Sequence, residues 1–202
     1  MGVMKHGLSV MAIFFVLLTT EVQASVVDQY ATSVIGFSSQ WSTGSWSAAQ
    51  TLGAPDTNGY GDIPTSWAPL AKNGTQEFIS VGFDTPIYAN GVTIRETWGN
   101  GFVTQVDVID NKDGYHTVWT GIDTSLPGTS VDFLVNWDTT NYLVTGLKIY
   151  ADTNHDLYAW EEIDSIQLHG DTVAPVPLPA TFWLFSPTLI GLLSVISRRK
   201  NA

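Results

Sequence analysis

Residues 103–120, "VTQVDVIDNKDGYHTVWT", decide the fold class of this chain. The first eight residues alternate between two faces of an extended chain, with no apolar stripe at helical spacing. The Asp113-Gly114 pair that follows is typical of a tight hairpin turn. The stretch therefore predicts two antiparallel strands joined by a short turn.

Similar short segments, rich in Val, Ile, Phe, Tyr and Trp, occur on both sides of this hairpin. The predicted strands are residues 77–83, 92–96, 103–109, 116–120, 131–135, 143–150 and 163–168. Gly, Pro, Asn and Asp separate them, and neither helical patterns nor internal repeats intervene. Regular short strands of this kind predict an all-β protein, an antiparallel β-sandwich jelly roll.

Residues 25–172 have the length of one domain with its own core. The chain has no cysteine, which excludes disulfides, thiol catalysis and cysteine-based zinc sites. In this domain 18 acidic residues outnumber 4 basic ones, for a formal charge of −14. That charge repels nucleic acid and anionic lipid, and it favours divalent cations or neutral partners such as glycans. Solubility alone is the simpler explanation of the same charge.

The amino-terminal residues 1–24 have the three parts of a signal peptide. A short basic region precedes an apolar run at residues 8–18, and Val22-Gln23-Ala24 follows the small-x-small pattern of a cleavage site. We expect export through the Sec machinery and a mature chain that begins at Ser25. A retained amino-terminal helix is the alternative.

The carboxy-terminal residues 173–202 contain an uncharged run at 181–197, followed at once by Arg198, Arg199 and Lys200. Seventeen residues lie at the lower limit for a transmembrane helix. The three basic residues would form a clamp on the cytoplasmic side. A buried core helix would need a polar face, which this run lacks beyond Ser and Thr. The run therefore predicts a short transmembrane helix.

Residues 35–70 form a long segment rich in Ser, Gly, Trp and Pro, with little periodicity. Loops of this length inside a domain are usually functional or held in place by other parts of the fold. The aromatic residues Trp41, Trp46, Tyr60 and Trp67 argue against disorder, since disordered segments contain few of them.

Two stretches carry a family resemblance: "SAAQTLGAPDTNGYGDIPTSWAP" at residues 47–69 and "AWEEIDSIQLHG" at residues 159–170. They resemble the discoidin-like, galactose-binding-type jelly rolls, above all those of bacterial proteins that carry a carboxy-terminal exosortase (PEP-CTERM) signal. The same pattern is similar to that of some pappalysin-like and F-box-associated domains. The resemblance spans most of residues 34–170.

A second resemblance concerns Val176, Pro177, Leu178, Pro179 and Ala180. This Val-Pro-Leu-Pro-Ala motif is similar to the recognition element of an exosortase signal, whose usual form has Pro-Glu-Pro. The resemblance implies an exosortase-type sorting protease as partner. It also implies transient anchoring in the inner membrane, followed by transfer to the cell surface or extracellular matrix.

In the discoidin-like superfamily an early loop wraps a structural calcium ion, and a Glu on the last strand closes the site. By this resemblance the candidate ligands are Asp56, Asp62 and Glu162. Carboxylates in a Gly-rich loop also suit the oxygen coordination of calcium. The alternative is that these acids are solvated or cap turns, and the loop is longer than the standard form.

Aromatic side chains in predicted loops or at strand ends provide the candidate ligand-binding residues, since such rings stack on sugars in this type of jelly roll. They are Trp41, Trp46, Tyr60, Trp98 and Trp160. Trp119 and Trp137 are expected in or beside the core, because tryptophan is mostly buried. We therefore expect a non-catalytic secreted or cell-surface protein that binds extracellular polysaccharide or matrix.

Two other function classes stay open. The first is a structural biofilm or matrix protein without a discrete ligand, and the second is a glycan-active hydrolase. The sequence gives the hydrolase little support, because it contains no Gly-x-Ser-x-Gly elbow and its histidines lack zinc-site spacing. Glu161 and Glu162 could serve as an acid pair, but neighbouring strand residues point to opposite faces. No catalytic residue is assigned.

Overall fold

The structure, a computed structural model, describes residues 25–175 and confirms the all-β prediction. A single turn of 3-10 helix, Ala48–Thr51, interrupts the long loop between the second and third strands. The eight strands are β1 (Val26–Tyr30), β2 (Ser33–Phe37), β3 (Gln76–Trp98), β4 (Val103–Asp110), β5 (Tyr115–Thr120), β6 (Val131–Asn136), β7 (Val144–Asp152) and β8 (Glu162–Asp171).

The strands form two antiparallel sheets that share β3. One sheet has the order β1-β8-β3-β6, and the other has the order β2-β3-β7-β4-β5. Residues 76–82 of β3 pair in the second sheet, and residues 88–98 pair in the first. The exposed residues 84–86 lie at the change of direction. The sequence predicted two separate strands here, and that prediction was wrong: one continuous strand crosses between the sheets.

The hairpin predicted at residues 103–120 is confirmed. β4 and β5 pair in antiparallel register, and the Asp110 amide donates to the Gly114 carbonyl at 2.9 Å. Asp113 has a φ of +65°, the left-handed conformation that Asp and Asn tolerate better than most residues. The Asp110 carboxylate accepts from the amides of Lys112 and Gly114 at 2.8 and 2.9 Å, which fixes the turn.

The sequence did not predict β1 and β2. β1 adds to the edge of one sheet beside β8, and β2 adds to the edge of the other beside β3. In β2, Ile35 lies over Gly82 and Gly146, where a side chain in place of either glycine would meet it. Both strands are short, and their pairing depends on distant partners rather than on a local pattern.

The core lies between the two sheets, and Trp67 connects it to the long loop. Trp67 is 0% exposed, and its indole Nε1 donates to the Ser39 carbonyl at 3.1 Å. Its backbone exchanges hydrogen bonds of 2.8 and 3.1 Å with Ile163 of β8. The loop that the sequence left without regular structure is thus fastened to the start of the last strand.

Four loops meet at one end of the sandwich, because β3 starts and finishes there. Gln76 pairs with the last residue of β7, and Trp98 pairs with the first residue of β8. We call this the loop end; its loops are residues 38–75, 99–102, 121–130 and 153–161.

Within residues 25–175, no helix is long and apolar enough to cross a membrane. The predicted signal peptide, sorting motif, transmembrane helix and basic clamp lie outside the described residues.

Candidate functional site

Three tryptophans from different segments converge at the loop end. Trp160, in the loop before β8, meets Trp41 of the long loop edge to face, with ring centroids 5.3 Å apart at 72°. Trp98, the last residue of β3, lies 6.3 Å from Trp160 at 39°. Trp41 remains 49% exposed, so the cluster is open to solvent. Such an arrangement can stack against a flat apolar surface of a ligand.

A fourth tryptophan, Trp46, completes a pocket of about 120 Å³ beside this cluster. We call it the tryptophan pocket; its lining residues are Trp41, Trp46, Asp62, Ala68 and Trp160. Trp46 has a φ of +51°, which is uncommon for a bulky residue and requires support from its surroundings. Its amide donates to the Pro64 carbonyl at 3.0 Å, and its own carbonyl accepts from the Ala68 amide at 3.3 Å. These bonds hold the ring at the pocket wall.

The polar groups of the tryptophan pocket are incompletely satisfied within the described residues. The indole Nε1 atoms of Trp46 and Trp160 are buried and have no hydrogen-bond acceptor there. A buried donor without an acceptor costs about 1–3 kcal/mol. The Lys72 ammonium lies 5.0 Å from the centroid of the Trp160 ring, and Asp62 is exposed at the pocket wall. Asp62 and Lys72 are therefore the polar side chains that a ligand at this pocket would meet.

Four of the five predicted ligand-binding residues gather at one place: Trp41, Trp46, Trp98 and Trp160. Tyr60 lies in the long loop but is not among the lining residues of the tryptophan pocket.

The two tryptophans expected beside the core do pack against it. Trp119 meets Phe133 edge to face at 5.6 Å, and Trp137 donates from Nε1 to the Ala89 carbonyl at 3.1 Å. Lys72 and Ala68 were not predicted at the site, because no pattern in the loop sequence distinguishes them.

Two of the three proposed metal ligands, Asp62 and Glu162, lie together. Glu162 is fully buried; its Oε2 accepts from the Ile63 amide at 3.3 Å, and its Oε1 has no partner within the described residues. Burial raises the pKa of Glu162 to about 9, and the nearby Asp62 carboxylate adds to the shift. The Ile63 amide, which donates to Oε2, acts in the opposite direction.

The third proposed ligand, Asp56, lies beside Asp164 instead. Its backbone amide donates to Asp164 Oδ1 at 3.4 Å, and Thr57 donates to the same oxygen through Oγ1 at 2.9 Å. Asp164 Oδ2 has no partner in the described part of the chain, and burial raises the pKa of this carboxyl.

The fit of these residues to calcium is partial. Asp62 and Glu162 would hold the ion, since a buried carboxylate oxygen without a donor is what a cation would satisfy. Across residues 25–175, however, no group of three or more His, Asp or Glu side chains is arranged to bind a metal ion. Backbone carbonyls and water would have to supply the other oxygens.

Glu161, which lies just before β8, occupies a different environment from its neighbour Glu162. It is fully buried, and neither of its carboxylate oxygens has a hydrogen-bond partner within residues 25–175. Burial raises its pKa to about 8, and Asp152 and Asp156 contribute to the shift. The two adjacent glutamates therefore do not act as one acid pair.

The sequence analysis also missed Glu96, which is fully buried at the end of β3. A signal for it was present in the sequence. In "VTIRE" (residues 92–96), Glu96 follows Val92 and Ile94 at spacing two, and both of these are fully buried core residues. A carboxyl in a core-facing register is unusual and indicates a special environment.

Comparison with known proteins finds one matching family model and several solved structures of the same fold. The family model described as "Pappalysin-1, SD scarf domain, C-terminal" matches residues 20–176. No curated protein matches the chain.

Solved structures with the same fold include reduced XRCC1 bound to the DNA polymerase beta catalytic domain. Its TM-score is 0.55 at 16% identity, over 70% of this chain and 99% of that one. CBM32-3 of a family 31 glycoside hydrolase from Clostridium perfringens has a TM-score of 0.50 at 12% identity, over 68% and 90% of the two chains. A labelled variant of chitosan-binding module 1, from a chitosanase/glucanase of Paenibacillus sp. IK-5, has a TM-score of 0.50 at 13% identity, over 69% and 94%.

At these identities the solved structures establish the fold alone, a β-sandwich jelly roll. The family model matches the sequence itself, and the match includes every strand of the described domain, from β1 to β8. On that match, the chain belongs to the family of the pappalysin-1 SD scarf domain, C-terminal.

Proposed function

We propose that this protein is a non-catalytic module that binds extracellular polysaccharide in the tryptophan pocket. The observation that carries the proposal is the convergence of Trp41, Trp46 and Trp160, from separate parts of the chain, around one solvent-open pocket. Two structures of the same fold support it, because one is a chitosan-binding module and the other is a CBM32 module of a glycoside hydrolase.

The chemistry of the pocket suits a sugar ring. The apolar face of a pyranose would stack on the exposed ring of Trp41. Asp62 and Lys72 at the rim can bind its hydroxyls, and a few such polar groups orient a ligand in an otherwise apolar pocket.

Burial of the neighbouring glutamates supports a non-catalytic role. A glycosidase needs two carboxyl groups that flank the scissile bond, roughly 5–9.5 Å apart. Glu161 and Glu162 are both fully buried in different surroundings, so neither reaches a substrate in the pocket. Asp62 is exposed there, but it has no second accessible carboxyl beside it among the residues that line the pocket.

A glycan array probed with the full chain tests the proposal. We expect binding to a defined set of glycans, and at least a tenfold loss of affinity, about 1.4 kcal/mol, in Trp160→Ala and in Trp41→Ala. Tyr115→Ala is the matched control, since it removes an exposed aromatic ring from β5, outside the pocket. Equal loss in the control would contradict a specific pocket. No binding to any glycan, including the polysaccharide of the producing cell, would favour a structural matrix protein.

We further propose that Asp62 and Glu162 hold a structural calcium ion that fastens the long loop to β8. An ion that binds only the folded state raises the melting temperature with its concentration. We expect millimolar calcium to raise the melting temperature of the full chain and Glu162→Gln to reduce that shift. A melting temperature that does not change with calcium concentration would contradict the proposed calcium site.

We also propose that the protein is exported from the cell and sorted by an exosortase. They rest on the signal-peptide pattern of residues 1–24, the Val-Pro-Leu-Pro-Ala motif and the basic clamp. The exosortase would cleave near the motif and release or transfer the domain outside the cell. Mass spectrometry of the native protein is expected to find Ser25 as the first residue and to lack residues 181–202. A mature protein that keeps these residues would contradict sorting and indicate a lasting membrane anchor.

A further inference from the structure

A hydrogen-bonded chain of three side chains crosses the outer face of the first sheet. His169 of β8 lies between Thr93 of β3 and Asp28 of β1. Its Nε2 is 2.7 Å from Thr93 Oγ1, and its Nδ1 is 2.6 Å from Asp28 Oδ1. Thr93 lies between the fully buried Val92 and Ile94, so its side chain is on the side of the sheet away from the core. None of the three residues lines the tryptophan pocket, so glycan binding there does not explain this arrangement.

The contact with Asp28 decides which ring nitrogen of His169 can act as a base. An ionised carboxylate only accepts hydrogen bonds, so Nδ1 carries a proton and donates it to Asp28. In the neutral ring Nε2 is then the acceptor, and the Thr93 hydroxyl donates to it. A hydroxyl bonded to an imidazole that a carboxylate orients is the arrangement that activates a nucleophile.

The residue directly opposite Thr93 on β8 is Gln167. Paired residues of antiparallel strands have Cβ atoms about 4.5–5.5 Å apart. The threonine oxygen is bonded to Cβ, and the glutamine amide carbon is two bonds from its own Cβ, so rotation about single bonds can bring the two atoms into contact. Tyr30 of β1 pairs with Gln167 on one side, and Leu134 of β6 pairs with Thr93 on the other. A nucleophile and an amide carbonyl thus lie side by side in one row of the sheet.

Arg95 can supply a hydrogen-bond donor to this amide. It lies two residues after Thr93 on the same face of β3, opposite Ser165, and is therefore diagonal to Gln167. Its Nη1 donates to Asp132 at 3.1 Å, but its Nε is buried and has no acceptor within the described part of the chain. A cationic donor beside the amide stabilises the negative charge that develops on the carbonyl oxygen when the carbon is attacked.

We propose that Thr93 and Gln167 react with each other to form an ester cross-link between β3 and β8. Thr93 Oγ1 attacks the Gln167 amide carbon, and its proton passes to His169 Nε2. The C–N bond of the tetrahedral intermediate then breaks, and His169 returns the proton to the leaving group, which departs as ammonia. The reaction needs no other reactant and involves no oxidation or reduction. Asp28 is a positioning residue, because it contacts the imidazole and not the reacting atoms.

Such a cross-link would suit a chain that has no cysteine and therefore no disulfide. It would join the two strands that pair at the centre of the fold. Residues 93 and 167 are far apart in the sequence, and a covalent bond between distant residues stabilises a fold by restricting the unfolded chain.

Peptide mass spectrometry of the full chain, folded and kept at neutral pH, tests this proposal. Thr93 and Gln167 lie in different tryptic peptides, because cleavage sites at Arg95, Lys112 and Lys148 separate them. We expect the two peptides to be joined, with a combined mass reduced by that of one ammonia. Mild alkali, which hydrolyses esters faster than amides, should separate them.

Variants of the reacting residues make the test specific. Thr93→Val removes the hydroxyl and keeps the shape of the side chain, and it should abolish the joined peptide. His169→Gln should slow the cross-linking by about a hundredfold, since it removes the base. His116→Gln is the matched control and should change nothing: His116 Nε2 also lies 2.7 Å from a carboxylate, that of Asp110, but it faces this carboxylate rather than a hydroxyl. Circular dichroism checks that each variant is folded.

Three results would overturn the proposal. The first is that the folded protein without substitutions yields only separate peptides. The second is a loss of ammonia without joined peptides, since Asn-Gly pairs such as Asn58-Gly59 can also lose ammonia by closing on their own backbone. The third is joining that persists in Thr93→Val or that proceeds at an unchanged rate in His169→Gln.

Discussion

Trp67 is the residue on which the long loop depends. Its indole fills the core and its N–H reaches back to Ser39, while its backbone pairs with Ile163 at the start of β8. Trp67 therefore links the core, the long loop and the start of the last strand. The neighbouring residue Ala68 accepts from the Trp41 amide and donates to the Trp46 carbonyl, so the positions of these two pocket residues depend on how Trp67 is held.

Truncation of Trp67 should therefore destabilise the whole domain. We expect Trp67→Ala to lower the free energy of unfolding by about 3–5 kcal/mol, the usual cost of removing a large buried aromatic side chain. Urea unfolding followed by far-ultraviolet circular dichroism measures it. Leu126→Ala is the control: this side chain is 76% exposed, and its removal should change stability by less than about 0.5 kcal/mol. Equal effects of the two changes would contradict the role given to Trp67.

Among the elements, β3 and β8 form the centre of the fold. β3 belongs to both sheets. β8 pairs with β3 along nearly the whole length of β8, and β1 pairs with the other edge of β8. Gly170 of β8 pairs with Ala89 of β3. A Cβ at Gly170 would lie 2.3 Å from the Tyr88 carbonyl oxygen and 2.8 Å from the Ala89 Cα. Both are backbone atoms, so a side chain there can be accommodated only if the strands separate.

Gly170→Ala should consequently weaken the contact between these two strands. We expect a loss of about 2 kcal/mol or more, because overpacking forces a backbone shift. Gly36→Ala in β2 is the matched control, since nothing lies within 4 Å of its added methyl group. Thermal unfolding of both variants measures the difference. Similar melting temperatures for the two would show that β8 can move away from β3 without cost.

At the scale of the whole molecule, the negative charge of the domain governs which polymers can approach. With a formal charge of −14, residues 25–172 repel polyanions over distances of about one Debye length, about 10 Å at 0.1 M salt. Lys72 is a single cation at the pocket, and its effect is local. The tryptophan pocket thus lies in a field that favours neutral or cationic glycans.

Salt dependence of binding tests this view. Raising sodium chloride from low to high concentration should leave the affinity for a neutral glycan within about twofold, and it should strengthen any binding of a polyuronate as repulsion is screened. Titration of each polymer at the two salt concentrations gives the comparison. Polyuronate binding that is tight at low salt and weakens with added salt would mean that local attraction at Lys72 outweighs the charge of the domain.

Local features of the sequence predicted much of the fold. Alternation in residues 103–110 and the Asp113-Gly114 turn were sufficient for the β4–β5 hairpin, since both signals depend on neighbouring residues alone. The aromatic residues of the long loop argued against disorder, and the structure holds Trp41 and Trp46 of this loop at the wall of the tryptophan pocket. Glu161 and Glu162 have different neighbours in the structure, although Glu161 lies just before β8 and strand alternation is not the reason.

By itself, then, the sequence determined the all-β class, the absence of disulfides and the acidic charge, which follow from composition and local periodicity. Only the tertiary structure decided that β3 serves both sheets, that Tyr60 is outside the tryptophan pocket, and that Glu96 is fully buried. These outcomes depend on which distant segments pair and which side chains lose contact with water. Strand pairing and burial are properties of the packed chain, and a local pattern of residues cannot specify them.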